Sequence, residues 1–125
     1  SLRTLLDHAA AARVGVIYGS PYQGGILAGS LETAVARHGE GPDLDRARQI
    51  YAWCQQRELE VGAVAVQFCT RNPRIASTLV GPRTVDEVEA NVRHATNEIS
   101  ESVWHELDDF LAQIQPAPAK GGEGL

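Results

Sequence analysis

The sequence predicts an α/β chain in which short parallel strands alternate with helices. A short continuous apolar run of strand length stands at Val14 to Tyr18, and Ile75 to Val80 is a second strand candidate. Stretches on either side of them repeat apolar residues three and four positions apart, the period of a helix with one buried face. Alternation of the two patterns on a scale of tens of residues is β/α organisation.

The elements follow in order. Leu2, Leu5, Leu6, Ala9 and Ala10 recur at helical spacing and lead into the first strand, whose unbroken Val-Gly-Val-Ile-Tyr run suits a parallel strand buried on both faces. From Gly19 to Pro42 the chain carries glycine at 24, 25, 29, 39 and 41, so a long functional connection is expected there. Asp43 or Asp45 then opens a helix with Leu44, Ala47, Ile50, Tyr51 and Cys54 inward. Val61 to Cys69 fits both a buried helix and a central strand, and we take it as helix, ended by Asn72-Pro73. After the second strand, Gly81-Pro82-Arg83 makes a turn, and Thr84 with Glu87 has the spacing of a capping box. The helix it opens runs to about Ala95 and is expected to bury Val85, Val88 and Val92. A last helix from near Ser100 carries Val103, Trp104, Leu107, Phe110, Leu111 and Ile114 on one stripe. Residues 1–115 then form one unit and 116–125, rich in Pro, Gly and Ala, a flexible tail.

Composition narrows the function. A net charge of −5 with no basic run argues against nucleic acid, and no apolar run approaches the roughly 20 residues of a membrane span. Cys54 and Cys69 sit in apolar contexts without metal-ligand spacing, which predicts buried, inert thiols and fits a reducing cytoplasm. His8, His38, His94 and His105 show no i,i+4 pair and read as surface or structural residues rather than metal ligands. Trp53 and Trp104 read as packing residues. The only lysine, Lys120, lies in the expected tail, so lysine-dependent chemistry would come from elsewhere. Two strands cannot cover the stripes of five helices, so exposed apolar surface is expected. The sequence has no methionine and opens in mid-repeat, from which we expect further chain upstream.

Both strands run into segments suited to phosphate at their C-terminal ends. Ser20-Pro21-Tyr22-Gln23-Gly24-Gly25-Ile26-Leu27-Ala28-Gly29 resembles the Ser-Pro-Leu-x-x-Gly-x-Leu-x-Gly segment of the aldo/keto reductase superfamily. Val80-Gly81-Pro82-Arg83-Thr84, followed by Glu89-Ala90-Asn91, is similar to the closing strand, turn and helix of the same family. The finer texture of the loop, and the Ser-x-x-Val-Trp-x-Glu-Leu near the end, are similar to its bacterial aldose dehydrogenases for L-fucose and D-threo-aldoses and to pyridoxal dehydrogenases.

The resemblance covers Leu2 to about Leu111 and implies the C-terminal part of a (β/α)8 barrel, carrying the site at its strand ends. It implies that Ser20, Pro21, Tyr22, Gly25 and Leu27 wrap the pyrophosphate of a nicotinamide dinucleotide, with glycines letting backbone N–H groups come close. Gly81, Pro82, Arg83 and Thr84 would border the adenosine half at a helix N-terminus, with Asn91 on the adenine. Many members stack an aromatic just before Ser-Pro on the nicotinamide; this chain has Gly19 there, leaving Tyr18 or Tyr22 as substitutes. Glu87 stands where NADP-using members commonly carry arginine, which implies NAD over NADP. The catalytic Asp, Tyr, Lys and His of the family belong to earlier strands, and their motif contexts are missing here. The implied parent is an oxidoreductase that moves hydride between nicotinamide and an aldose or other carbonyl substrate, completed by an N-terminal half of the barrel and open to homo-oligomer formation. The alternative is a non-catalytic relative that self-assembles or merely binds a dinucleotide.

Overall fold

The computed structural model describes residues 1–114; the expected tail at 116–125 lies outside the described residues. The elements are α1 (Leu2–Ala11), β1 (Val16–Gly19), α2 (Leu31–His38), α3 (Pro42–Gln56), α4 (Val61–Thr70), β2 (Ile75–Leu79), α5 (Val85–Thr96) and α6 (Glu101–Gln113). β1 and β2 pair in parallel, with Tyr18 opposite Thr78 and Gly19 opposite Leu79. Three helices lie between the paired strands, as a crossover between parallel neighbours requires.

The helices are set by local chemistry. Ser1, Ser30 and Thr84 each cap a helix by accepting from the N–H three residues on. Pro42 opens α3 at its first position, where its missing N–H costs nothing. The segment Val61 to Cys69 is helical, and Val61 to Val66 are buried all round it, so no stripe is visible in its sequence. The main core joins α3, α4 and α6 through Trp53, Cys54, Val61, Val64, Trp104 and Leu107, with Phe110 stacked on Trp53 at 5.6 Å. Arg57 lies over Trp53 and pairs with Glu106 at 2.8 Å, and Arg71 lies over Trp104 and pairs with Glu101 at 2.7 Å. These two cation–π clamps fasten α6 across α3 and α4. Arg74, just before β2, pairs with Asp7 of α1.

Four expectations change. The long glycine-rich connection contains α2, capped by Ser30 and seated on the core by Ala34. The first strand is shorter than its apolar run, because Arg13 turns left-handed (φ 56°) and the Val14 N–H returns to Ala9. It is also not buried on both faces, since Ile17 is 65% exposed. On α5, Val85, Val88 and Val92 are 73, 46 and 59% exposed, because the flank that meets α4 is the one carrying His94. Leu79 of β2 is exposed as well.

Candidate functional site

Parallel pairing decides where the two singled-out stretches go. Gly19 and Leu79 are the last paired residues, and the Ser20 N–H still donates to the Leu79 carbonyl at 3.3 Å. Both chains therefore leave the sheet side by side at one rim. Between them lies an open groove of about 620 Å³. Ser20, Pro21, Tyr22, Gly25, Gly81, Pro82, Arg83, Glu87 and Asn91 all line it. Leu27 and Thr84 do not: Leu27 packs on the hydrophobic core, and Thr84 is occupied as the cap of α5.

On the first side, the loop from Ser20 to Gly29 is coiled on itself. Ser20, Gln23, Gly24 and Gly25 all have positive φ, and two of these are not glycine. The Ser20 hydroxyl accepts from the Gly24 N–H at 3.0 Å, and the Tyr22 carbonyl accepts from the N–H groups of Gly25 and Leu27 at 3.1 and 3.0 Å. The Gly24 and Gly25 N–H groups are thus already used within the loop. Successive left-handed residues bring acceptors inside the loop within their reach. At the loop's far end, the Tyr51 hydroxyl holds the carbonyls of Ile26 and Gly29 at 2.8 and 3.1 Å.

The second side is open. A Cβ on Gly81 would meet nothing within 4 Å, so the backbone there is bare to the groove. Thr84 Oγ1 accepts from the Glu87 N–H at 3.1 Å, and Glu87 Oε2 accepts from the Arg83 N–H at 2.6 Å. The capping box therefore reaches one residue further back than its usual form, which returns to the cap residue itself. Val85 and Asp86, in the first turn of α5, have N–H groups without intrahelical acceptors.

Two residues belong to this site that the sequence did not single out. Arg37, on α2, lines the groove, and its Nη1 would lie 3.0 Å from a Cβ on Gly25. Among the described residues it makes no ion pair or hydrogen bond. His94 is 4% exposed at the back of the groove. Its Nδ1 is 3.0 Å from the Tyr22 hydroxyl and its Nε2 3.0 Å from Glu60 Oε2, while the Tyr22 hydroxyl donates to Asn91 Oδ1 at 2.7 Å. Burial raises the Tyr22 hydroxyl above its ordinary pKa, so it stays a neutral donor. Paired hydrogen bonds from Arg93 hold the Glu60 carboxyl below the usual range, against desolvation and with a further contribution from His94. Gly62 makes room for the imidazole, since a Cβ there would sit 2.2 Å from His94 Cε1. A glycine inside an otherwise Val/Ala-rich helix was the available signal of that close approach.

Tyr22 is held against α5, and a Cβ at Gly19 would face open space. A wider depression of about 890 Å³ behind His94 carries Arg48 and Arg93, but these are paired with Glu40 and Glu60. Cys54 and Cys69 are free and buried, and burial pushes the Cys54 thiol up to about 11.

A partial (β/α)8 barrel with its loops gathered at the strand ends defines the class, and the family model confirms it: the aldo/keto reductase family matches residues 2–112, and the chain belongs to that family. Among curated relatives, it is 30% identical over 128 residues to a D-threo-aldose 1-dehydrogenase of Pseudomonas sp, covering 92% of this chain and 38% of that protein. It is 32% identical over 118 residues to an L-galactose dehydrogenase of Arabidopsis thaliana, covering 93% of this chain and 36% of the relative. Protein tas of Escherichia coli K12 is 30% identical over 108 residues, 84% of this chain and 31% of its own. The chain thus spans about a third of the length of these relatives. Among the described residues no helix is long and apolar enough to cross a membrane.

Proposed function

We propose that this chain is the cofactor-holding part of an NAD-linked aldo/keto reductase acting on an aldose or similar carbonyl compound in the cytoplasm. The observation that carries the reading is the parallel pairing of β1 and β2, which brings the Ser20–Gly29 loop and the Gly81–Thr84 turn to one groove. Family membership and the two sugar dehydrogenases among the relatives give the reaction class. The residues suit a dinucleotide. Arg37 and Arg83 offer guanidinium groups to the pyrophosphate on a groove whose loop N–H groups are already used. The bare Gly81 backbone and the first turn of α5 offer further donors, and Asn91 an amide for the base.

A bound nicotinamide would supply the hydride acceptor or donor for the substrate carbon. This chain's residues bind and orient: Arg37 and Arg83 neutralise phosphate charge, Pro21 and Tyr22 wall one side, and Glu87 repels a 2′-phosphate while accepting from a free ribose. The proton-transferring Asp, Tyr, Lys and His set would come from the rest of the barrel, whose helices would cover Val85, Val88 and Val92. The segment alone would then be inactive.

The experiment is a titration of the intact protein with NADH and NADPH, followed by NAD-linked turnover of L-fucose, D-arabinose, L-galactose and pyridoxal. Tighter binding of NADH with turnover of at least one sugar is expected. Tighter NADPH binding would refute the role given to Glu87, and no binding of either would refute the reading as a whole.

A further inference from the structure

Behind the groove a hydrogen-bonded chain runs from the N-cap of α4 through α5 to the loop, and it ends on Asn91. Glu60 meets His94 Nε2 at 3.0 Å, His94 Nδ1 meets the Tyr22 hydroxyl at 3.0 Å, and that hydroxyl donates to Asn91 Oδ1 at 2.7 Å. Counting hydrogens fixes the sense of the chain. A phenol has one hydrogen, here given to Asn91, so towards His94 it can only accept and Nδ1 donates; Nε2 donates as well, because the Glu60 carboxylate can only accept, so the chain in this sense holds an imidazolium at His94 paired with Glu60. Asn91 Oδ1 is thereby turned towards Tyr22, and Nδ2 is the end of the amide left for the groove. An unsupported asparagine has no such preference, because its oxygen and nitrogen ends have nearly the same shape and exchange by a half-turn.

The supports are themselves fixed. His94 is buried, with Gly62 packed close against its ring and Tyr22 in a T-shaped contact at 5.8 Å between centroids. Its main-chain carbonyl accepts from Gln67 Nε2 at 2.7 Å, and the same amide holds the Asn97 carbonyl at 2.7 Å. Glu60 is gripped by Arg93 through both oxygens. Each link has a single partner in the direction of the groove, which is the arrangement of an orienting device rather than of scattered surface contacts.

We propose that Glu60, His94 and Tyr22 are positioning residues that lock the Asn91 amide with its N–H₂ end towards the base of the bound dinucleotide. The inference rests on the dinucleotide reading above. It makes the base half of the cofactor, and not the nicotinamide half, depend on a hydroxyl in the first loop.

The test uses calorimetric binding to the intact protein of two fragments, ADP-ribose, which contains the base, and nicotinamide mononucleotide, which does not. Tyr22→Phe keeps the ring and removes the hydroxyl. It should weaken ADP-ribose about three- to tenfold, the size of one lost hydrogen bond, and leave nicotinamide mononucleotide unchanged. On an Asn91→Ala background the same change should cost nothing further. Asn91→Asp, which still accepts from Tyr22 but offers the groove no donor, should weaken ADP-ribose as much as Asn91→Ala. Replacing His94 risks unfolding beside Gly62, so the Tyr22 and Asn91 variants carry the test, each checked by its thermal midpoint. Equal loss of both fragments in Tyr22→Phe, or losses that add to those of Asn91→Ala, would overturn the proposal by showing a plain loop anchor. Full binding by Asn91→Asp would overturn the donor-outward sense. Failure of the wild-type protein to bind either fragment would instead refute the dinucleotide reading, and this inference with it.

Discussion

The two stretches that leave the strand ends meet at one rim, yet they are built in opposite ways. After β1 the chain coils into consecutive left-handed residues, uses its own N–H groups, and faces the groove with side chains, Tyr22 among them. After β2 it stays open, with bare backbone at Gly81 and the first turn of α5 beyond it. The comparison teaches that similar glycine-containing motifs need not offer similar chemistry. One side of this groove works through positioned side chains, and the other through main-chain donors and a helix terminus.

Changes that disturb the coiled side through its supports should have the largest effects. Gly62→Ala would push a methyl into His94, separating α4 from α5, and should destabilise the protein by about 1–3 kcal/mol, seen in urea denaturation. Loss of NADH affinity should accompany it. Next comes Gly25→Ala, at φ 97° and against Arg37, where a cost of about 1–2 kcal/mol is expected with weakened NADH binding. On the open side, Glu87→Arg removes the partner of the Arg83 N–H and should cost about 0.5–1 kcal/mol. It should also shift the ratio of NADPH to NADH affinity upward, which no effect on the cap alone would do.

Acid should act more gently. The Glu60 pKa is lowered in the folded state, so its contribution is complete above the unfolded value near 4.5 and disappears as pH falls through the lower folded value. A thermal midpoint followed from pH 6 to pH 3 should fall across that window and fall less in Glu60→Gln. The effect is small because the carboxylate is half exposed. Smallest of all, Cys54 and Cys69 should resist alkylation in the native protein at neutral pH and react once it is denatured, since burial keeps both thiols protonated.

Much of the coiled and open sides could be read from residue order. The continuous apolar run at Val14 to Tyr18 and the strand candidate at Ile75 to Val80 coincide with β1 and β2, and the spacing of Thr84 and Glu87 marks the start of α5. The Val61 to Cys69 run, whose composition suits strand and helix alike, lies within the helix α4. What escaped did so for physical reasons. Only two turns long, α2 was hidden among glycines that suggest a loop, and Arg37 was hidden with it. Val85, Val88 and Val92 have the spacing of a buried stripe, but within residues 1–114 the flank meeting a neighbour is the one with His94, a polar residue made buriable by Glu60 and Tyr22. Partners so distant in sequence leave no local pattern. Nor does residue order show whether a glycine N–H in a loop is free or already bonded, which is the feature that separates the two sides of the groove.

Hydrogen exchange on the intact protein, titrated with NADH, measures both sides at once. If a single dinucleotide bridges them, the amides of residues 20–29 and those of 81–91 gain protection together, at the same NADH concentration. Protection confined to one of the two segments, or to neither while NADH is bound, would contradict a shared groove.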